Sequence, residues 1–314
     1  MRISSAIAFA ALAAMTALAP AATGAEDPPP YASATEAYRQ GAAEAKAGHM
    51  DAALPALAYA AERGVLGAEL KLARTYARGD GVARDDGKAF TYYQRIADQH
   101  AEIAPSSPVA KFVAEAFVAL GQYCRKGVPG IGLKSDPARA AGLYRHAASY
   151  FGDADAQYEL GRLYLEGEGV EKDPSLGANW LAVAAKKQDP EAQAKLGELL
   201  WTGDGIRKSP AKGLALITLA HENAKLSGKE PKWIEELYRD VTAKSDAATR
   251  KEAEAVMPAW AGAARSAPAI AASMPKDELA AGTGEQLSGA GNAPSPPKGM
   301  PVGFGAVTQD ADPR

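Results

Sequence analysis

The stretch DADAQYELGRLYLEGEGVEKDP, residues 153–174, decides the fold because it returns 36 residues later as DPEAQAKLGELLWTGDGIRKSP, residues 189–210. Leu160, Gly161, Gly167 and Gly169 of the first block fall on Leu196, Gly197, Gly203 and Gly205 of the second. Each block is followed by an Ala-rich helical segment, so each repeat is read as one helical hairpin.

Helical geometry assigns the repeated positions their tasks. A residue advances roughly 100° around the axis, which puts Ala156 and Tyr164 within about 40° of Leu160 on one buried stripe. Gly161 lies beside that stripe and lets the second helix approach. Gly167 and Gly169 end the helix and permit positive φ in the turn. Asp173 and Pro174 then open the second helix as cap and first-turn residue, and Ala178, Leu181, Ala184 and Ala185 offer small side chains for close packing. A lone hairpin of this kind cannot bury its own apolar face, so neighbours must stack on it.

Working outward, GAELKLARTYARGDGVARDDGKAF from Gly67 and AFVALGQYCRKGVPGIGLKSDPARA from Ala116 are further copies with longer connections, anchored at Leu72 and Leu120. EAYRQGAAEAKAGHMDAALPALAYAAERG from Glu36 reads as an opening tetratricopeptide-like hairpin, with Gly48 ending its first helix. PKWIEELYRDVTAKSDAATRKEAEAVMPAWAG from Pro231 reads as capping helices from Pro231 and from Asp246, anchored by Trp233, Leu237 and Trp260. At the start, Arg2, the apolar run Ile3 to Leu18 and Pro20 form an export signal cleaved after Ala25. The expected organisation is therefore a signal peptide over 1–25, a flexible segment over 26–33, the opening hairpin over 34–66 and repeats over 67–227. Capping helices over 228–263 and a disordered Ala/Gly/Pro-rich tail over 264–314 complete it.

Composition narrows the function. The formal charge of -3 leaves no basic field for nucleic acid or anionic lipid, and no segment after the signal is expected to insert stably in a membrane. Cys124 is the single cysteine, so no intramolecular disulfide is available; it takes the place that Tyr164 holds in the next repeat and reads as a packing thiol. His49, His100, His146 and His221 are scattered without metal spacing; His146 is the first to test for pH sensing. GDGVARDDG from Gly79 lacks the alternating ligands and terminal Glu of a calcium loop and reads as a structural turn. No catalytic residue, cofactor or metal is assigned.

The pattern LGRLYLEGEGVEKDP, with the looser LARTYARGDGVARDD, resembles the Sel1-like repeat family, which implies an all-α, right-handed α/α solenoid and an adaptor role. A narrower resemblance lies in the order of LAYAAERG, KLARTYARGDGV, the irregular ALGQYCRKGVPG, AQYELGRLYLEGEGV and PKWIEELY. These are similar to the ExoR-type family of periplasmic regulators of exopolysaccharide synthesis in rhizobia and related alphaproteobacteria, over roughly residues 34–261. The resemblance implies a periplasmic protein that binds the periplasmic domain of an ExoS-type sensor histidine kinase. It would hold that two-component system off, repressing exopolysaccharide production and affecting motility. The alternatives are a general envelope scaffold and, because Sel1-like proteins with cysteine-paired repeats have been proposed as β-lactamases, a hydrolase of that kind; here the cysteine pair is missing from every repeat.

The angular rule also nominates a partner-binding face. First-helix positions two before, two after and five or six after the anchor leucine should point away from the buried stripe. They are Leu70, Arg74 and Arg78; Val118, Gln122, Arg125 and Lys126; Tyr158, Arg162, Leu165 and Glu166; and Glu198 and Trp201. Their cations, Arg74, Arg78, Arg125, Lys126 and Arg162, call for an acidic patch on the partner. The connections from Asp98 and from Val128 are expected to be protease-sensitive.

Overall fold

The computed structural model describes residues 30–228 and 231–261; the expected signal peptide and the whole of the expected tail lie outside them. The described chain is an all-α solenoid of stacked hairpins, with one isolated bridge between Val128 and Leu133 and no strand among these residues. The opening hairpin is α1 (Ala34–Ala47) and α2 (Met50–Glu62). Four repeats follow: α3 (Leu66–Arg78) with α4 (Asp86–His100), α5 (Ala110–Lys126) with α6 (Pro137–His146), α7 (Ala154–Glu166) with α8 (Pro174–Lys186), and α9 (Pro190–Thr202) with α10 (Pro210–Ser227). They end in α11 (Lys232–Lys244), α12 (Ala247–Val256) and the short α13 (Pro258–Ala261).

The repeated residues build this pattern locally. Asp153 and Asp189 cap α7 and α9, accepting the amides of Ala156 at 2.8 Å and Ala192 at 2.7 Å. Gly167 and Gly169 close α7 with φ of 73° and 71°. The turn then returns to a fixed register, because the amide of Asp173 donates to the carbonyl of Tyr164 at 2.9 Å while its carboxylate caps α8. The same bond recurs from Asp85 to Tyr76, from Asp136 to Cys124 and from Ser209 to Leu200. The longer connection in the second repeat, with its 3-10 turn Pro129–Ile131, is thus an insertion that leaves the register intact.

Within a hairpin the two helices meet backbone to backbone. A Cβ on Gly161 would come within 3.0 Å of the Gly177 carbonyl oxygen and of the Leu181 side chain, and a Cβ on Gly177 within 2.8 Å of the Gly161 carbonyl. Gly197 and Gly213 repeat the arrangement in α9 and α10, whereas Gly121 of α5 lies under the ring of Tyr144. In the second helices, Gly177 and Gly213 are the partners that the sequence reading did not single out.

Between hairpins each first helix is sandwiched. Leu72 packs with Leu57 and Ala60 of the opening hairpin, while Leu70, on the opposite side of α3, packs with Phe90, Val113 and Phe117 of the same and the next repeat. Buried amides stitch some of these seams: Gln157 donates to the Ala148 carbonyl at 3.1 Å and Gln193 to the Ala185 carbonyl at 3.2 Å. At the equivalent place in the first repeat stands a fully buried carboxylate, Glu69, 3.5 Å from Arg95, which itself reaches the Ala61 carbonyl at 3.2 Å. One carboxylate oxygen of Glu69 has no partner, and burial pushes its pKa up to about 7.

The end cap differs from expectation at Trp233, which is 37% exposed; Ile234 and Val241 fill the core instead. The first turn of α11 therefore presents its neighbouring side chain inward. Trp260 does pack, against the cluster around Leu181 and Leu196. Its carbonyl accepts the amide of Gln188 at 2.8 Å. Gln188 is the one non-glycine residue with positive φ among those described, and its side-chain oxygen accepts from Asn223 at 3.1 Å and from Gln193 at 3.3 Å.

Two outcomes follow for stability. Gly161→Val forces α7 off α8 and should cost about 1–3 kcal/mol; Gly142→Ala on α6, where an added Cβ meets nothing within 4 Å, should gain about 0.5–1 kcal/mol. Denaturant unfolding of both variants checks the pair. For Glu69 the ionised form is the costly one, so folding is most stable while it is protonated, below its ordinary 4.5, and loses stability as pH rises through about 7. Glu69→Gln should therefore raise stability by about 1–3 kcal/mol at pH 8 and by much less at pH 4.5, read from thermal melts across that range.

Candidate protein-binding face

The nominated residues separate into two groups. Leu70 and Val118 do not reach solvent: they are 3% and 7% exposed and belong to the core. Tyr158, Leu165 and Trp201 are half-buried, Tyr158 and Leu165 against the cluster of Leu181 and Leu196, Trp201 against that of Leu214 and Val241. The reason is the sandwich. A position opposite the anchor leucine faces the next repeat, so the buried arc of a first helix covers two sides and an outward-facing reading holds only for what lies between them.

The polar members do line a common face. Arg78, Gln122, Lys126 and Glu166 are exposed, and Arg74, Arg125, Arg162 and Glu198 are half-buried. Most of the charge is answered within the chain. Arg74 of α3 forks onto Glu115 of α5, with its Nε at 2.6 Å from Oε1 and a second bond from Nη2 to Oε2. Arg125 of α5 reaches Glu159 of α7 at 3.4 Å and Glu168 at 3.7 Å. Arg162 shares Glu159 at 3.5 Å and pairs with Glu166 at 3.0 Å. Lys195 pairs with Glu198 at 2.8 Å, and Arg78 stands 4.0 Å from Asp80. Three of these links, Arg74 to Glu115 and Arg125 to Glu159 and to Glu168, join successive repeats. Sequence reasoning missed the acids because Glu115 and Glu159 precede their own anchors, at places the outward rule did not sample.

Lys126 and Gln122 differ from the rest: neither has a side-chain partner among the described residues. Close to them lie Tyr93, Tyr123 and Arg84, which the sequence reading did not nominate. Burial pushes the Tyr93 hydroxyl up to about 12, and burial followed by the charge of Asp86 raises Tyr123 further.

The other chemistry-bearing residues are engaged in structure. Cys124 is fully buried and burial raises its thiol pKa, which disfavours the reactive thiolate. In the GDGVARDDG turn, Asp85 caps α4 through the Lys88 amide at 2.9 Å and Asp86 is held by Arg84. His49 meets Glu44 at 3.0 Å on the surface, and His221 stands 2.5 Å from Glu235 while stacking on Tyr238. Burial lowers the pKa of His100 and of His146. A ring nitrogen of His146 lies 3.1 Å from the Ala101 carbonyl and the ring packs on Phe117, which ties down the connection after α4. Among the described residues no group of three His, Cys, Asp or Glu side chains could hold a metal ion, and no helix is long and apolar enough to cross a membrane. An Ser-x-x-Lys spacing at Ser209 and Lys212 is a helix start: the Ser209 amide donates to Leu200, Lys212 is exposed, and no hydrogen bond joins the two side chains.

Comparison with known proteins places this geometry. The Sel1 repeat family matches residues 67–100, 114–149, 154–189 and 190–222, the four repeats described above. An exopolysaccharide production negative regulator of Rhizobium leguminosarum bv. viciae is 33% identical over 208 residues, covering 66% of this chain and 75% of that protein. A protein of the same description from Rhizobium meliloti (strain 1021) is 40% identical over 149 residues, or 48% of this chain; the match spans 55% of that relative's length. The crystal structure of a Sel1 repeat protein from Oxalobacter formigenes superposes with a TM-score of 0.56 at 22% identity, over 76% of this chain and 87% of that one, which supports the fold. The matches are thus to a repeat family and to proteins described as negative regulators.

The ion pairs predict which face residues carry structure. Arg125→Ala removes two contacts, both across a repeat seam, and should cost about 1–2 kcal/mol. Lys126→Ala should change stability by less than about 0.5 kcal/mol. Urea unfolding of the two variants side by side tests the contrast.

Proposed function

Because the chain belongs to the family of exopolysaccharide production negative regulators built on Sel1 repeats, we propose that it represses exopolysaccharide production by binding a protein partner, the extracytoplasmic domain of a sensor histidine kinase, in the periplasm. The observation that carries the reading is the extent of the match: identity of 33% runs over 75% of the length of a named regulator. The apolar start of the chain, Ile3 to Leu18 after Arg2, supports export.

In this reading the solenoid works as an occupancy switch. The face built from α3, α5, α7 and α9 is tied across repeats by the Arg74–Glu115 and Arg125–Glu159 pairs, so it would present a surface formed before the partner arrives, and the kinase is held inactive for as long as that surface is filled. Removal of the repressor then shifts the kinase towards its active state. Output also falls on motility, in the opposite sense to exopolysaccharide.

Deleting the gene should raise both exopolysaccharide output and kinase-dependent transcription and lower swimming. If neither output rises, repression is wrong. If exopolysaccharide rises while a kinase-null background makes no difference, the chain is a repressor of another pathway.

A further inference from the structure

Four of the five cations nominated for a partner are already paired within the chain, which directs attention to the place where charge is left over. Where the first two repeats meet, a cleft of about 230 Å³ opens between α3, α4 and α5. Ala77 and Ala119 wall it, Tyr93 and Tyr123 line it with ring centroids 6.5 Å apart, and Arg84, Gln122 and Lys126 rim it. The acceptor present, Asp86, is spent: its two oxygens take Arg84 Nε and Nη2 at 3.0 Å each, and Oδ1 also takes the Tyr123 hydroxyl at 3.3 Å. The unused groups are donors. The Lys126 ammonium and the Gln122 amide are exposed with no partner among the described residues. Tyr93 is 5% exposed as a residue, and its hydroxyl, which likewise makes no hydrogen bond among the described residues, is not one of the buried polar atoms and so keeps access to the cleft water.

A hydroxyl that faces the cleft with no protein acceptor can donate to a ligand oxygen in place of water. Lys126, Gln122 and Tyr93 together ask for an anion with two acceptor oxygens, and the small walls admit a short side chain. We propose that this cleft seats an aspartate or glutamate side chain from an exposed segment of the partner protein, with its carboxylate on Lys126 and the Tyr93 hydroxyl and with Gln122 closing the rim. The proposal rests on the reading of the chain as a protein-binding repressor and names the group that the partner contributes. The Arg84 and Asp86 pair is neutral as a unit, so Lys126 leaves the cleft net positive.

The test uses the full chain and a defined probe. The blocked peptide acetyl-Gly-Ser-Glu-Gly-Ser-amide is titrated while the ring signals of Tyr93 and Tyr123 are followed by NMR, beside counterparts with Gln or Lys in place of Glu. Saturable shifts at both rings with the Glu peptide, weakened at least tenfold in Lys126→Glu and in Gln122→Ala but not in the distant Lys212→Glu, are expected. Equal binding of the Gln peptide, preference for the Lys peptide, or no loss in Lys126→Glu would overturn the assignment. Thermal melts confirm that the variants fold, as the lack of intramolecular partners at Lys126 and Gln122 implies. In cells, a Lys126→Glu strain with normal protein abundance should release exopolysaccharide to within about twofold of the deletion strain. If the deletion derepresses and Lys126→Glu still represses, the cleft falls and the regulator reading stands. If the deletion itself changes nothing, the regulator reading falls, and the peptide titration alone decides whether the cleft binds carboxylate.

Discussion

The contact on which the rest depends is the backbone meeting of α7 with α8 at Gly161 and Gly177, repeated by α9 and α10 at Gly197 and Gly213. Without Cβ atoms the two helix backbones come close enough for alanines to fill the remaining space, which is why alanine is the commonest residue of the core, with leucine next. Glycine inside a helix costs roughly 0.5–1 kcal/mol relative to alanine. That cost is offset because close approach extends van der Waals contact along both helices. The second repeat reaches the same end differently, by laying the Tyr144 ring on Gly121, and so tolerates its longer connection.

Most of the architecture was legible in the repeat. Helix ends, caps and the anchor leucines are local events, set by residues within one turn of each other, and a sequence displays those directly. Cys124 could be read as a packing thiol because Tyr164 holds the equivalent place. The binding face was only half legible, since an angular rule describes one helix in isolation while α3 and α5 are each clasped by two neighbours. Leu70 and Val118 looked outward by angle and instead face the following repeat or its flank. Trp233 fails for a related reason: at a helix start a shift of one residue exchanges the inward side chain, and Ile234 took the place.

Electrostatics is where the face changed most. Read along the chain, five cations suggest a basic stripe. In three dimensions Glu115, Glu159, Glu166 and Glu168 rise between them and turn that stripe into a ladder of alternating sign. Such a ladder sets the register of successive repeats more than it attracts a partner, because each guanidinium is already oriented and partly dehydrated by its own carboxylate. The groups that the ladder leaves out, Lys126 and Gln122, gather beside Tyr93 and Tyr123. A substitution on this face has to be read according to whether the side chain has an intramolecular partner.

Gln188 has a role that reaches past its own turn. An open solenoid held only by nearest-neighbour contacts frays from both ends with nearly equal ease. Here the side chain of Gln188 grips Asn223 and the carbonyl of Trp260, so the last described helix is fastened back to the third repeat. Those bonds tie α8, α10 and α13 together over a chain separation of 72 residues, a closure at the C-terminal end that stacking of successive hairpins alone does not give.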